Sequence, residues 1–87
     1  MSSARLTLIG KPECHLCDDA RDALASAIDE LGARGSVVVE ELSILDDPAL
    51  NERYWDEIPV VLLNGKVHTI WRVEPDRLKA AITEAIA

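Results

Sequence analysis

Two cysteines, Cys14 and Cys17, stand in the stretch GKPECHLCDDA with only His15 and Leu16 between them, and the chain has no other cysteine. Thiols so placed open three kinds of chemistry. They can exchange a disulfide, clamp a metal, or simply pack a core. A tetrahedral metal site needs two further ligands, and the only other soft donors are His15, wedged between the cysteines, and His68. A single-chain metal site is therefore not expected, although a metal or iron–sulfur cluster shared between two subunits would supply the missing donors. The sequence shows no paired carboxylates arranged for hydrolysis, no serine-based triad and no phosphate-binding loop.

Composition narrows the setting. With 87 residues, 48% of them apolar, the chain reads as one globular domain over residues 1–87 with a single core. It has no phenylalanine; Tyr54, Trp55 and Trp71 are its only aromatics, so the core must be aliphatic. All three aromatics are expected at the edge of that core, and His68 on a strand, at the surface or half-buried. A net charge of −7 repels nucleic-acid phosphates and anionic lipid, so neither is expected as a partner. No apolar run approaches the roughly 20 residues of a membrane span, and the N-terminal MSSARLTLIG is too short for a signal peptide. The expected compartment is the cytoplasm, where a purely structural disulfide would not persist.

The elements that must position the cysteines follow from periodicity. Arg5–Ile9 is a short β-branched run that reads as a strand and ends at Gly10, Lys11 and Pro12. From Cys14 to Leu31, apolar Cys17, Ala20, Leu24, Ala27, Ile28 and Leu31 recur at helical spacing, with Asp18 and Asp19 in the first turns and Gly32 and Gly35 as stops. Ser36–Leu42 reads as a second strand. Asp46–Trp55 reads as a short helix capped by Asp46 or Asp47, with Pro48 in its first turn. Pro59–Leu63 is a third strand, Asn64-Gly65 a hairpin turn, and Lys66–Trp71 the returning strand. Leu78, Ala81, Ile82 and Ala85 mark a last helix opened by Pro75 and Asp76. A helix between the first two strands requires a parallel, right-handed crossover. The whole is an α/β fold, β-α-β-α-β-β-α, with a four-stranded mixed sheet.

In that order the cysteines fall where the first strand hands over to the first helix. Free backbone N–H groups and the positive end of the helix dipole favour a thiolate there. Cys14 should lie at the exposed tip and Cys17, one turn in, on the buried face. This is the asymmetry of a nucleophilic and a resolving thiol, and a Cys-x-x-Cys beside a strand-helix-strand pattern is a signature of thioredoxin-like redox sites. An imidazolium at His15 would favour the thiolate, whereas Glu13, Asp18, Asp19, Asp56 and Glu57 would oppose it. The expectation is a Cys14 pKa below the reference value of about 8.5.

The segment KPECHLC resembles the Lys-Pro-x-Cys-x-x-Cys of glutaredoxins, and DEIPVVLLNGK resembles the stretch that leads into their third strand. The resemblance, which covers essentially the whole chain, is to the small glutaredoxin-like proteins of bacteria. It implies a thioredoxin-like fold of the glutaredoxin type, with Cys14 as nucleophile and Cys17 as resolving cysteine. It further implies that Lys11 meets a carboxylate of a bound thiol, and that a cis Ile58–Pro59 bond faces the cysteines and leaves the Ile58 backbone free to pair with a peptide. Partners would be a protein or small disulfide as substrate, and as reductant a low-molecular-weight thiol such as glutathione or a flavoprotein of the thioredoxin reductase kind. No other cofactor is implied. Two departures bear on glutathione. His15-Leu16 replaces the usual Pro-Tyr or Pro-Phe, and WRVEPDRL has no glycine pair where glutathione-binding members carry Gly-Gly-x-Asp-Asp. The leading expectation is a small thiol–disulfide oxidoreductase. The alternative is a module that uses the same pair to hold a metal or partner, or to sense redox state, without turnover.

Overall fold

The structure, a computed structural model, describes residues 2–87. Its elements run β1 (Ala4–Gly10), α1 (His15–Leu31), β2 (Val37–Ser43), α2 (Pro48–Tyr54), β3 (Val60–Leu63), β4 (Lys66–Ile70) and α3 (Pro75–Ile86), the expected β-α-β-α-β-β-α order. The sheet is ordered β2-β1-β3-β4. β1 and β2 are parallel, whereas β3 runs antiparallel to both β1 and β4. In the central pair β1 and β3 all residues are buried except exposed Arg5 and half-buried Leu62 and Leu63, and the two edge strands carry most of the exposed positions.

Side-chain alternation divides the sheet into two unequal faces. On one, Leu6, Leu8 and Val61 pack with Ala20, Leu24, Ala27 and Ile28 of α1 and with Leu78 and Ile82 of α3. Leu6, Leu8, Leu24, Leu78 and Ile82 are fully buried, each stabilising the fold by roughly 1.5–3 kcal/mol. On the other face, Ile9, Val60 and Ile44 form a smaller cluster under Leu50 and Tyr54 of α2. That helix buries none of its residues completely. Thr7, the one buried polar residue among those described, satisfies its hydroxyl by donating to Glu40 at 3.0 Å.

Helix ends follow the sequence signals. Gly32 adopts φ 61° after α1, its N–H reaching the Asp29 carbonyl while the Ala33 N–H reaches that of Ile28. The Asp47 carboxylate accepts from the Ala49 N–H at 2.9 Å and Pro48 opens α2. The α3 cap is Glu74, which makes no side-chain capping bond. Six strand ends fall one residue from expectation. β1 extends to Ala4 and Gly10, and β2 is shifted to Val37–Ser43. β3 starts at Val60 because Pro59 has no N–H to donate to a ladder. β4 stops at Ile70 because Trp71 turns into the left-handed region at φ 67°. A register shift opposite Val61 and Leu62 makes His68 the extra residue of a bulge. Among the described residues, no helix is long and apolar enough to cross a membrane.

Candidate functional site

The site lies at the end of the sheet where β1 terminates. Ile9 pairs with Val60 and Gly10 with Ser43. The same register carries Pro59, one residue before Val60, to the level of Gly10. The Ile58–Pro59 bond is cis. Residues more than forty positions apart in sequence therefore meet at one edge.

Cys14 is the N-cap of α1 and Cys17 lies one turn in. The two form a disulfide, with Cα atoms 5.2 Å apart, inside the usual range for a bridge. Their environments differ as expected. Cys17 is 1% exposed, whereas Cys14 is partly open. The Cys17 N–H donates to the Cys14 sulfur at 3.2 Å, so an otherwise unpaired amide of the first helical turn points at the outer sulfur. In the reduced protein that donor and the helix dipole act on Cys14 in the direction that favours its thiolate.

Gly10 is a site residue that sequence reasoning takes only as a strand stop. It lies within β1, and a Cβ there would come within 2.8 Å of the Cys17 sulfur. The inner sulfur packs directly on the bare backbone of Gly10, which lets α1 approach the strand. The signal was available in outline, since glycine within a strand marks a close approach.

The remaining expected residues take these places. Lys11 is exposed and lines, with Gly10, Pro12, Cys17, Arg21 and Asp46, a hollow of about 320 Å³ on the β2 side of the cysteines. His15 is the first residue of α1 and exposed. Ile58 is half-buried against the smaller cluster, and neither its N–H nor its carbonyl bonds to another described residue. Of the five acids near the cysteines, two are engaged. Asp18 accepts from Arg21 at 2.8 Å, and Arg21 also reaches Glu41 at 2.6 Å. Glu57 meets Arg53 at 3.5 Å. These pairs are exposed and add little stability, but they reduce the negative field opposing a thiolate. Among the described residues no three His, Cys, Asp or Glu side chains cluster to hold a metal.

Tyr54 sits at the core edge as expected, but the two tryptophans do not. Trp55 is 63% and Trp71 56% exposed. The Trp71 indole N–H donates to the Asp56 carbonyl at 3.0 Å, and its backbone N–H to the Pro59 carbonyl at 2.8 Å. Its ring is thus held against the segment before the cis proline. Glu13, just ahead of Cys14, also has a positive φ, 58°. Strained backbone of this kind persists only where surroundings over-determine it, and it gathers at functional sites.

Comparison with known proteins agrees with this geometry. A family model, the glutaredoxin-like domain, matches residues 5–83. An uncharacterized protein of Mycobacterium tuberculosis is 31% identical over 86 residues, a match covering 98% of this chain and 89% of that one. Among solved structures, the X-ray structure of the structural-genomics target XcR50 from X. campestris superposes with a TM-score of 0.72 at 32% identity, covering 92% of this chain and 97% of its own. A variant thioredoxin from Halobacterium salinarum gives a TM-score of 0.65 at 18% identity, over 99% of this chain and 77% of that one, a likeness of fold alone.

Proposed function

The chain belongs to the glutaredoxin-like family, and from that premise and the geometry of its cysteines we propose that it is a thiol–disulfide oxidoreductase that reduces protein or small disulfides. A thioredoxin-like fold with a Cys-x-x-Cys pair supports a redox-type function. The observation that carries the finer reading is the Cys17 N–H on the Cys14 sulfur at the helix N-terminus, with Cys17 sealed behind it. This arrangement equips the outer sulfur to attack and the inner one to wait.

In the reduced protein, the Cys14 thiolate attacks one sulfur of the substrate disulfide. The substrate S–S bond breaks, a mixed disulfide forms on Cys14, and the departing thiolate takes up a proton. The Cys17 thiol then gives up its proton and attacks the Cys14 sulfur. The mixed disulfide breaks, the second substrate thiol leaves, and the Cys14–Cys17 disulfide seen in the structure results. Two electrons have passed from the protein dithiol to the substrate. Two equivalents of a low-molecular-weight thiol, or a flavoprotein reductase, return them. In this reading the free Ile58 backbone pairs with the substrate chain, Lys11 and His15 bias the local field toward anions, and the cytoplasm is the working compartment.

The reading is tested by turnover of a small disulfide. Cys14→Ser is expected to reduce activity to background. Cys17→Ser is expected to accumulate a mixed disulfide with substrate, identifiable by mass spectrometry. Undiminished turnover in Cys14→Ser would exclude the mechanism. Titrating thiolate absorbance in Cys17→Ser should give a Cys14 pKa below about 8.5.

A further inference from the structure

The sheet has two edges, and the chain treats them differently. β4 is five residues long, begins with exposed Lys66 and is broken by the bulge at His68, features that discourage pairing with another strand. β2 runs seven residues in unbroken register from Val37 to Ser43, with no proline, lysine or bulge. Its Val38 is 59% and Val39 48% exposed, on opposite faces of the sheet. Open hollows flank the strand on both sides, about 490 Å³ between it and α1 and about 580 Å³ on the α2 side.

The backbone of that edge is unused. The Ala4 N–H donates to the Ser36 carbonyl, and the Ile44 N–H to the Gly10 carbonyl. In a parallel ladder this phase turns the backbone groups of Val38, Glu40 and Leu42 toward β1. The N–H and C=O groups of Val37, Val39 and Glu41 therefore point outward, and none bonds to another described residue.

We infer that this edge joins a second copy of the chain, its β2 laid antiparallel about a two-fold axis through Val39 to give one continuous eight-stranded sheet. The residues of β2 select that occupant and that register. Pairing about Val39 sets Val39 on the partner's Val39 and Val37 on the partner's Glu41, so all six outward groups of each chain are satisfied. Pairing about Glu40 would face glutamate with glutamate at a closely spaced position. Pairing about Val38 would draw Gly35, which lies in a turn, into the ladder in place of a strand residue.

Charge supports the same register. Arg5 lies beside Val38 in the sheet and lines the same hollow as Glu40. It makes no ion pair among the described residues. Glu40 accepts from the Thr7 hydroxyl with one oxygen only. In the Val39 register the partner's Glu40 stands opposite Val38, two strands from Arg5 and roughly 10 Å from it. An arginine and a glutamate side chain together span that distance, and two-fold symmetry makes the pair twice. The cysteine pairs stay clear of the interface. Gly10 is level with Ser43, and the partner's Gly35 lies opposite Ser43, so the two disulfides sit at opposite ends of the joined sheet. The inference therefore stands apart from the oxidoreductase reading.

The test is the mass of the full-length protein in solution under reducing conditions, followed by sedimentation from about 1 μM to 1 mM, a range suited to a small, reversible interface. Wild type should pass from monomer to dimer as concentration rises and go no further. Val39→Pro removes an N–H that β1 does not use, and with it two bonds at the axis. It should raise the dissociation constant at least about tenfold. Val39→Lys, which sets two charges face to face at the axis and leaves the backbone alone, should do the same. Arg5→Glu should also weaken the dimer, and Arg5→Glu combined with Glu40→Arg should restore it. Circular dichroism confirms that each variant is folded. A wild type that stays monomeric throughout, that grows beyond a dimer, or that dimerises no better than folded Val39→Pro or Val39→Lys would overturn the inference. A double variant no tighter than Arg5→Glu would overturn the Val39 register.

Discussion

The two ends of the sheet solve the same backbone problem with different residues. At the hairpin end, between β3 and β4, the chain needs two left-handed conformations and places Asn64 and Gly65 there, at φ 52° and 84°. Both residues tolerate that region. Asn64 is also tied to the neighbouring strand, its carboxamide oxygen accepting from the Arg5 N–H at 2.9 Å. At the cysteine end, left-handed conformations fall on Glu13 and Trp71 instead, φ 58° and 67°. Neither side chain favours it. One end is chosen for ease of folding. The other keeps strain, of order 1–3 kcal/mol per residue, beside the cysteine pair. The difference teaches that local sequence agrees with the fold at the hairpin turn and departs from it at the cysteine end.

The contrast can be broken at its tightest point. Gly10→Ala drives a Cβ to 2.8 Å from the Cys17 sulfur, and overpacking of this kind destabilises by about 1–3 kcal/mol. Thermal unfolding should show a midpoint lower by several degrees. An unchanged midpoint would mean that α1 can shift without penalty. At the opposite end, Gly65→Ala meets no atom within 4 Å, so its effect is conformational alone. The expected loss is about 1–2 kcal/mol from the left-handed backbone, read by denaturant unfolding, with disulfide reduction unaffected in the folded fraction.

Glu13→Gly sharpens the comparison from the other side. It relieves the left-handed strain but frees the unfolded chain, so the net gain in stability should be only about 0.5 kcal/mol. The loop before Cys14 should loosen at the same time, lowering the rate of disulfide reduction. A variant both less stable and fully active would contradict the idea that strain is held there for the site.

The smallest effect concerns His68. Burial, and secondarily the positive Arg77, holds its pKa below the ordinary value of 6.5, and its Nε2 is buried without a hydrogen-bond partner among the described residues. The folded protein therefore binds this proton less readily than the unfolded chain does. Stability is complete above pH 6.5 and declines as the pH falls below it. Melting temperatures measured between pH 7 and 5 should fall slightly more steeply in wild type than in His68→Leu, and parallel profiles would show that His68 contributes nothing.

Much of this was legible along the chain. Helical spacing from Cys17 to Leu31, Pro48 after an aspartate, and Asn64-Gly65 between apolar runs each specify structure through neighbours a few residues away. The strand-to-helix position of Cys14 and Cys17 and the asymmetry of their exposure followed from the same local logic. The cis state of Pro59 did not, since only about 5–6% of X–Pro bonds are cis; it came with the family resemblance.

What tertiary structure alone decided depends on contacts between distant segments. The β2-β1-β3-β4 order, the bulge at His68 and the outward turn of Trp71 arise from pairing across the sheet, and the seat of the Cys17 sulfur on Gly10 from the packing of α1 on β1. Hydrophobic pattern places a tryptophan at a core edge because burial is its default. It cannot register that Trp71 is held by the carbonyls of Asp56 and Pro59, brought alongside by the register of β3 on β4. The sequence by itself determined the cysteine pair and the elements that hold it. The packing of one strand end against another decided what surrounds them, because those contacts join segments that local propensity never compares.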